Sequence, residues 1–226
     1  MISEKQQNAE RLYYLLGALF IAALITCNLI ANKFVTVDLG FKVFTISAGV
    51  LPYPMTFLIT DILSELYGQK RTTQVVLSGL VASIFVLFVL WLGAQFPAIE
   101  GSPVSDATYN QVFQNAWRVI AASMLAYIVA QLIDVRLFHF WKNLTGGKML
   151  WVRNNFSTLV SQLVDTILVV LVLFIGTLPW STMGEYIWDG WLFKATAAAI
   201  DTAAIYAFMW WARGYFGLEI GEEIEV

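Results

Sequence analysis

Residues 74–96 read QVVLSGLVASIFVLFVLWLGAQF, a stretch without a single charged side chain. A bilayer's hydrocarbon core is crossed by a helix of about 20 mostly apolar residues. In lipid, backbone polar groups are satisfied only within a helix or a closed barrel. Five other stretches meet the same length: roughly 12–34, 48–67, 117–139, 155–178 and 190–212. The chain is therefore predicted to be an all-α integral membrane protein with six transmembrane helices, forming one domain over residues 1–226.

Composition agrees. Of 226 residues, 59% are hydrophobic and 13% charged, and the mean hydropathy is +0.70. Soluble domains carry about 25% charged residues, so lipid must cover part of this surface, and water-soluble classes are excluded. Cys27 is the one cysteine and cannot form an internal disulfide; His139 is the one histidine and cannot build a zinc site. No metal and no cofactor is expected. A net charge of −3, without a basic stripe, argues against a nucleic-acid partner. The polar start MISEKQQNAERL runs into apolar sequence without a small-residue cleavage site, so the first span reads as retained rather than as a signal peptide.

Pro52 and Pro54 place the start of span two around Pro54, because proline is tolerated only in a helix's first turn. Before it, VTVDLGFKVFTIS (35–47) alternates apolar and polar residues around Gly40 and predicts a short hairpin at the outer surface. With the N-terminus cytoplasmic, the inner side holds nine cations: Lys5, Arg11, Lys70, Arg71, Arg136, Lys142, Lys148, Arg153 and Arg213. The outer side holds four, Lys33, Lys42, Arg118 and Lys194, beside the acidic or neutral loops PAIEGSPVSDATYNQ (97–111) and PWSTMGEYIWDG (179–190). Positive charge collects on the cytoplasmic side, so both termini are expected there, the acidic tail GLEIGEEIEV (217–226) as a frayed, solvated end.

Ionisable groups at mid-bilayer cost about 2.5–3.5 kcal/mol each on insertion scales, so they face a cavity or a partner. Asp165 and Asp201 fall about ten and eleven residues into their spans, each about 15 Å deep. Asp134 and Glu65 fall nearer the inner surface, with Asp61 one turn above Glu65. Helical spacing aligns Asn154, Ser157, Ser161 and Asp165, with Gln162 at the edge; Ser123, Tyr127, Gln131 and Asp134; Thr56 and Thr60 beside Asp61 and Glu65; and Asn28 with Asn32. Span three is apolar after Ser83 and reads as lipid-facing or scaffold. Many of the small polar residues could serve only as interhelical hydrogen-bond partners, and Asp61 and Glu65 could pair with Lys70 and Arg71 at the rim. Asp165 and Asp201 have no such explanation, because Lys33, Arg118 and Lys194 are all placed near the outer rim. They are the strongest pointer to a small polar solute. AQLIDV (130–135), SQLVDT (161–166) and AAIDT (198–202) echo one another, as repeats do in transporters.

NLIANK (28–33), YPMTFLITDILSELYGQK (53–70), RVIAASMLAYIVAQLIDVRLF (118–138) and GGKMLWVRNNFSTLVSQLVDT (146–166) resemble the queuosine precursor transporter family, also called the vitamin uptake transporter family. The resemblance implies a stand-alone carrier of 7-deazaguanine bases in the bacterial inner membrane. A deazaguanine offers a row of N–H donors and one carbonyl; a carboxylate accepts two such bonds, and Asn or Gln supplies both kinds of group. On that implication Asp165 or Asp201 reads the base edge, Gln131, Gln162, Asn28 and Asn155 complete the site, and Tyr127, Phe57 or Trp151 stacks on the ring. Asp134, Glu65 and Asp61 are candidates for carrying a coupling proton. The alternative is a substrate-binding membrane subunit of an energy-coupling-factor importer, for which Ala18 and Ala22 form a small-residue docking pair. A membrane enzyme ranks below both, since His139 reads as an interfacial residue beside Phe138 and Phe140. A homodimer is neither favoured nor opposed.

Overall fold

The computed structural model describes residues 4–31, 33–114, 117–176 and 178–224. It is mainly helical. Helices α1 (Glu4–Leu29), α2 (Tyr53–Gly93), α4 (Trp117–Leu144), α5 (Leu150–Phe174) and α6 (Trp180–Phe216) are joined by strands β1 (Phe34–Asp38) and β2 (Val43–Ser47), and by the short helix α3 (Asp106–Tyr109). Among the described residues, five helical segments are long and apolar enough to cross a membrane. Asn32 and the Arg118 side chain, both used in the sequence argument, lie outside the described residues.

The hairpin forms where alternation predicts it, with β1 antiparallel to β2 and Phe34 opposite Ser47. Its turn rests on Gly40, whose φ of 82° suits glycine, and whose N–H reaches Asp38 Oδ1 at 2.8 Å. The inward face, Phe44 and Ile46, packs on Phe193 of α6, with ring centroids of Phe44 and Phe193 5.4 Å apart.

Helix α2 starts at Tyr53 behind Pro52, one residue before the predicted Pro54. Its backbone breaks at Gly68, where φ 77° and ψ 172° are not helical. Residues before the break descend along α1: Gly49 lies against Cys27 and Ala31, and Tyr67 Oη donates to the Ala9 carbonyl at 2.7 Å. Residues after it ascend: Tyr13 bonds the Arg71 carbonyl, Gly17 faces Val75, and Gly79 faces Phe20 and Leu24. The chain therefore reverses at Gly68. The sequence predicts a short loop over 68–73 between two spans; one glycine makes the turn and helix resumes at once.

The first half of α2 is central. From Thr56 to Gly68 every residue but Leu58 is buried, with α1, α4, α5 and α6 around it. The second half is peripheral and turns Val81, Ile84, Phe85 and Phe88 outward, in keeping with the lipid-facing role expected for span three.

Three expectations are corrected. Helix α5 begins at Leu150, several residues before position 155. PWSTMGEYIWDG, expected as an outer loop, is the first part of α6, which starts at Trp180 behind Pro179. Its two glycines each cost only about 1 kcal/mol in a helix, and Gly190 lets α6 close on α5 at Thr166. The tail is not frayed through Ile224. Ile224 N–H donates to the Leu66 carbonyl at 2.7 Å, and Glu223 Oε1 lies 2.9 Å from Lys142 Nζ.

Candidate functional site

The buried half of α2 presents Thr56, Thr60, Asp61 and Glu65 to helices α4, α5 and α6, and three polar centres form along it. At the end holding the Gly68 turn, Glu65 is 0% exposed and accepts from Arg153, through Nε at 3.0 Å and through Nη2. Arg213 Nη2 reaches the same carboxylate at 2.8 Å. Lys142 stands 4.0 Å away and bonds the tail's Glu223. Arg153 also donates to the carbonyls of Gly147 and Lys148. Glu65 thus pairs with cations from α4, α5 and α6, not with Lys70 or Arg71 as considered from sequence.

One turn away, Asp61 and Asp134 are buried and lie within hydrogen-bond reach of each other. Ser161 Oγ donates to Asp134 Oδ1 at 2.9 Å, and Thr158 Oγ1 stands 3.5 Å from Asp61 Oδ2. Asp61 Oδ1 and Asp134 Oδ2 keep no donor among the described residues.

Further along, Asp165 is 2% exposed and its Oδ2 holds Lys194 Nζ at 2.6 Å. This corrects the expectation that no cation reaches its depth. Lys194 stands fourteen residues past Trp180, the first residue of α6, about 21 Å along that helix. Placing the start of the helix near 190 had left it at the rim. Its ammonium also bonds Thr166 Oγ1 at 3.2 Å and lies 4.3 Å from the Tyr53 ring centroid. Tyr53, Phe57 and Tyr127 form an aromatic wall with centroids 4.9–5.8 Å apart. Behind it, Gln131 Nε2 donates to Tyr127 Oη at 2.8 Å and Thr60 Oγ1 donates to Gln131 Oε1 at 3.0 Å. Gln162 Oε1 is buried without a partner among the described residues, and the buried Tyr53 hydroxyl and Asp165 carboxyl lie close to each other.

The structure thus brings Asp165, Gln162, Gln131 and Tyr127 into one region. Asp201 is half-buried and faces a narrow cleft shared with Phe57, Asp61, Asn154 and Thr158. Asn28 donates to the Leu24 carbonyl of its own helix at 2.8 Å, and Asn155 donates to the Trp151 carbonyl at 2.9 Å and ties α5 to Thr202 of α6 at 2.7 Å. Trp151 is 47% exposed, so Phe57 and Tyr127 are the stacking candidates that the fold keeps. Sequence reasoning missed Tyr53 and Lys194. The signal for Lys194 was its spacing of seven from Asp201, two turns along one helix face.

Comparison with known proteins gives one family and several relatives. A family model described as "Putative vitamin uptake transporter" matches residues 47–208. A Bacillus subtilis (strain 168) protein named "Probable queuosine precursor transporter" is 29% identical over 164 residues, covering 72% of this chain and 71% of that one. The Escherichia coli (strain K12) "Queuosine precursor transporter" is 22% identical over 191 residues, 84% of this chain and 79% of its own. No solved structure matches the chain.

Proposed function

Because the chain belongs to the vitamin uptake transporter family, we propose that it is a secondary transporter that imports 7-deazaguanine queuosine precursors across the bacterial inner membrane. The observation that carries this reading is a pair of buried acceptors, Gln162 Oε1, unpartnered among the described residues, and Asp165 Oδ1, facing the Tyr53 hydroxyl, beside the wall of Tyr53, Phe57 and Tyr127. Buried polar atoms normally have partners, and a base's N–H edge supplies donors to these two acceptors at once. The ring lies against the aromatic wall, and Lys194 or the Gln131 amide donates to its carbonyl. Asp201, in the adjoining cleft beside Phe57, is the alternative carboxylate from α6. These groups are nearly solvent-free, so entry requires the surrounding helices to part, as alternating access demands. The names of the relatives support the substrate class.

In this reading the polypeptide crosses the membrane six times, α2 supplying two spans through its reversal at Gly68, with both termini in the cytoplasm. The runner-up is a substrate-binding subunit of a multi-component importer. Ala18 and Ala22 are both exposed on α1, which leaves that face open to a partner helix. Transport by the purified chain alone in liposomes separates the two.

Binding of 7-deazaguanine bases to the purified protein, with guanine and adenine as competitors, tests the site. Loss of one charged hydrogen bond in Asp165→Asn is expected to weaken binding about tenfold or more. Wild-type affinity in both Asp165→Asn and Asp201→Asn would discard the assignment.

A further inference from the structure

We propose that Asp61 and Asp134 hold one exchangeable proton between them, and that its movement drives the base inward. This rests on the transport reading and names its driving ion. Both carboxyls are buried, 1% and 0% exposed, and they stand side by side at the interface of α2 with α4, bonded by Thr158 and Ser161 one turn apart on α5. Two carboxylates in contact away from water cannot both stay ionised. A cation or a proton must intervene, and among the described residues every neighbouring cation is committed elsewhere. From α4 Lys142, from α5 Arg153 and from α6 Arg213 converge on Glu65, the next acid along α2. Lys194 holds Asp165, and Arg136 is exposed on the outer side of α4. Helix α6 adds a further acid, Asp201, facing Asp61. His139 lies among the Glu65 group of charges instead.

The donor count points the same way. Ser161 and Thr158 serve Asp134 Oδ1 and Asp61 Oδ2, leaving one oxygen on each acid without a hydrogen-bond donor among the described residues. A single O–H···O between the two carboxyls satisfies both. A second, independent sign is Asn154 Oδ1, 2% exposed and unpartnered, whose residue lines the same cleft as Asp61, Thr158 and Asp201.

Position supplies the coupling. Asp134 stands one turn from Gln131, and Ser161 adjoins Gln162, so the α4 and α5 faces that carry the base ligands also carry the proton site. The shared bond exists only while α2 and α4 are in register. When those helices part to admit or release the base, each carboxyl loses its partner and the proton's affinity changes.

Proteoliposome uptake decides the matter, with the membrane potential clamped. One arm applies a gradient of one pH unit, one a sodium gradient at equal pH, and one follows exchange of labelled for unlabelled base without a gradient. At one proton per base, a unit of pH drives about tenfold accumulation in the wild type. Asp61→Asn and Asp134→Asn are expected to lose that accumulation while still exchanging base, and Asp134→Glu to retain it. Accumulation that follows sodium, or an unchanged pH response in both Asn variants, overturns the proposal. If an Asn variant fails to fold, the wild-type gradient arms and Asp134→Glu still decide: no pH-driven accumulation in a wild type that exchanges base also overturns it. A wild type that neither binds nor exchanges base overturns the transport reading itself.

Discussion

Among the described residues Arg153 is the bulkiest side chain that the fold withdraws fully from solvent, and Glu65 is what makes that tolerable. Breaking a buried ion pair from one side costs about 3–5 kcal/mol, because the remaining charge keeps its desolvation penalty and loses its partner. Glu65→Gln leaves Arg153, Arg213 and Lys142 facing one another, so a loss of this order is expected in thermal unfolding of the detergent-solubilised protein. Glu65→Leu with Arg153→Met should recover part of it, since replacing a whole buried pair by apolar side chains is close to neutral. Unfolding of Glu65→Gln at the wild-type temperature would mean that the cluster is not structural. The same logic governs Asp165 and Lys194: Lys194→Met alone should lower the unfolding temperature, and adding Asp165→Asn should restore most of it. At this scale the sequence reveals which acids are unusual but not which cation each one meets. Asp165 was recognisable from its depth in an apolar run. Its partner was not, because a lysine's depth depends on where its helix begins, and nothing after Pro179 marks position 190 as that point.

At the scale of elements, α2 carries the largest difference between pattern and structure. Hydropathy separates 48–67 from 74–96 because Gln69, Lys70, Arg71, Thr72 and Thr73 interrupt the apolar run. Polar residues, however, do not end a helix; a backbone that leaves helical φ/ψ does, and that happens at Gly68 alone. Its conformation, φ 77° with ψ 172°, belongs to a region essentially reserved for glycine, where other residues are strained by about 1–3 kcal/mol. A Cβ there would also strike the Glu223 carboxylate. Gly68→Ala is thus expected to destabilise by at least that range, read as a lower midpoint in thermal unfolding, and an unchanged midpoint would rule out the tight reversal. The hairpin was legible because strict alternation and Gly40 specify both strands and turn. The centrality of the first half of α2 was less so, although its Thr56, Thr60, Asp61, Ser64 and Glu65 put polar groups on several faces, the mark of a helix surrounded by others rather than by lipid.

Across the whole molecule, charge and contact agree on one end. The start of α1 reaches Tyr67 and Tyr215 through Ala9 and Asn8, the tail bonds Leu66 and Lys142, and Arg153 bonds the α4–α5 turn at Gly147 and Lys148. The β-hairpin sits at the opposite end, where Lys42 pairs with Asp189 in the first part of α6. Residues assigned to one side of the membrane by their Lys and Arg bias are thus also gathered at one end of the bundle, although helix packing and the membrane potential impose independent demands. If that end is cytoplasmic, a Cys27→Ala background carrying Lys148→Cys or Glu219→Cys should react with an impermeant maleimide only after the cells are opened. Phe41→Cys or Glu100→Cys should react in intact spheroplasts. All four replaced positions are exposed, so silence cannot be put down to burial. The reverse pattern would turn the molecule over, placing the Glu65 cluster and the docked tail outside. A mixed pattern, with Lys148→Cys and Glu219→Cys on different sides, would break the six-span topology, since only an even number of crossings returns α6 to the side where α1 began.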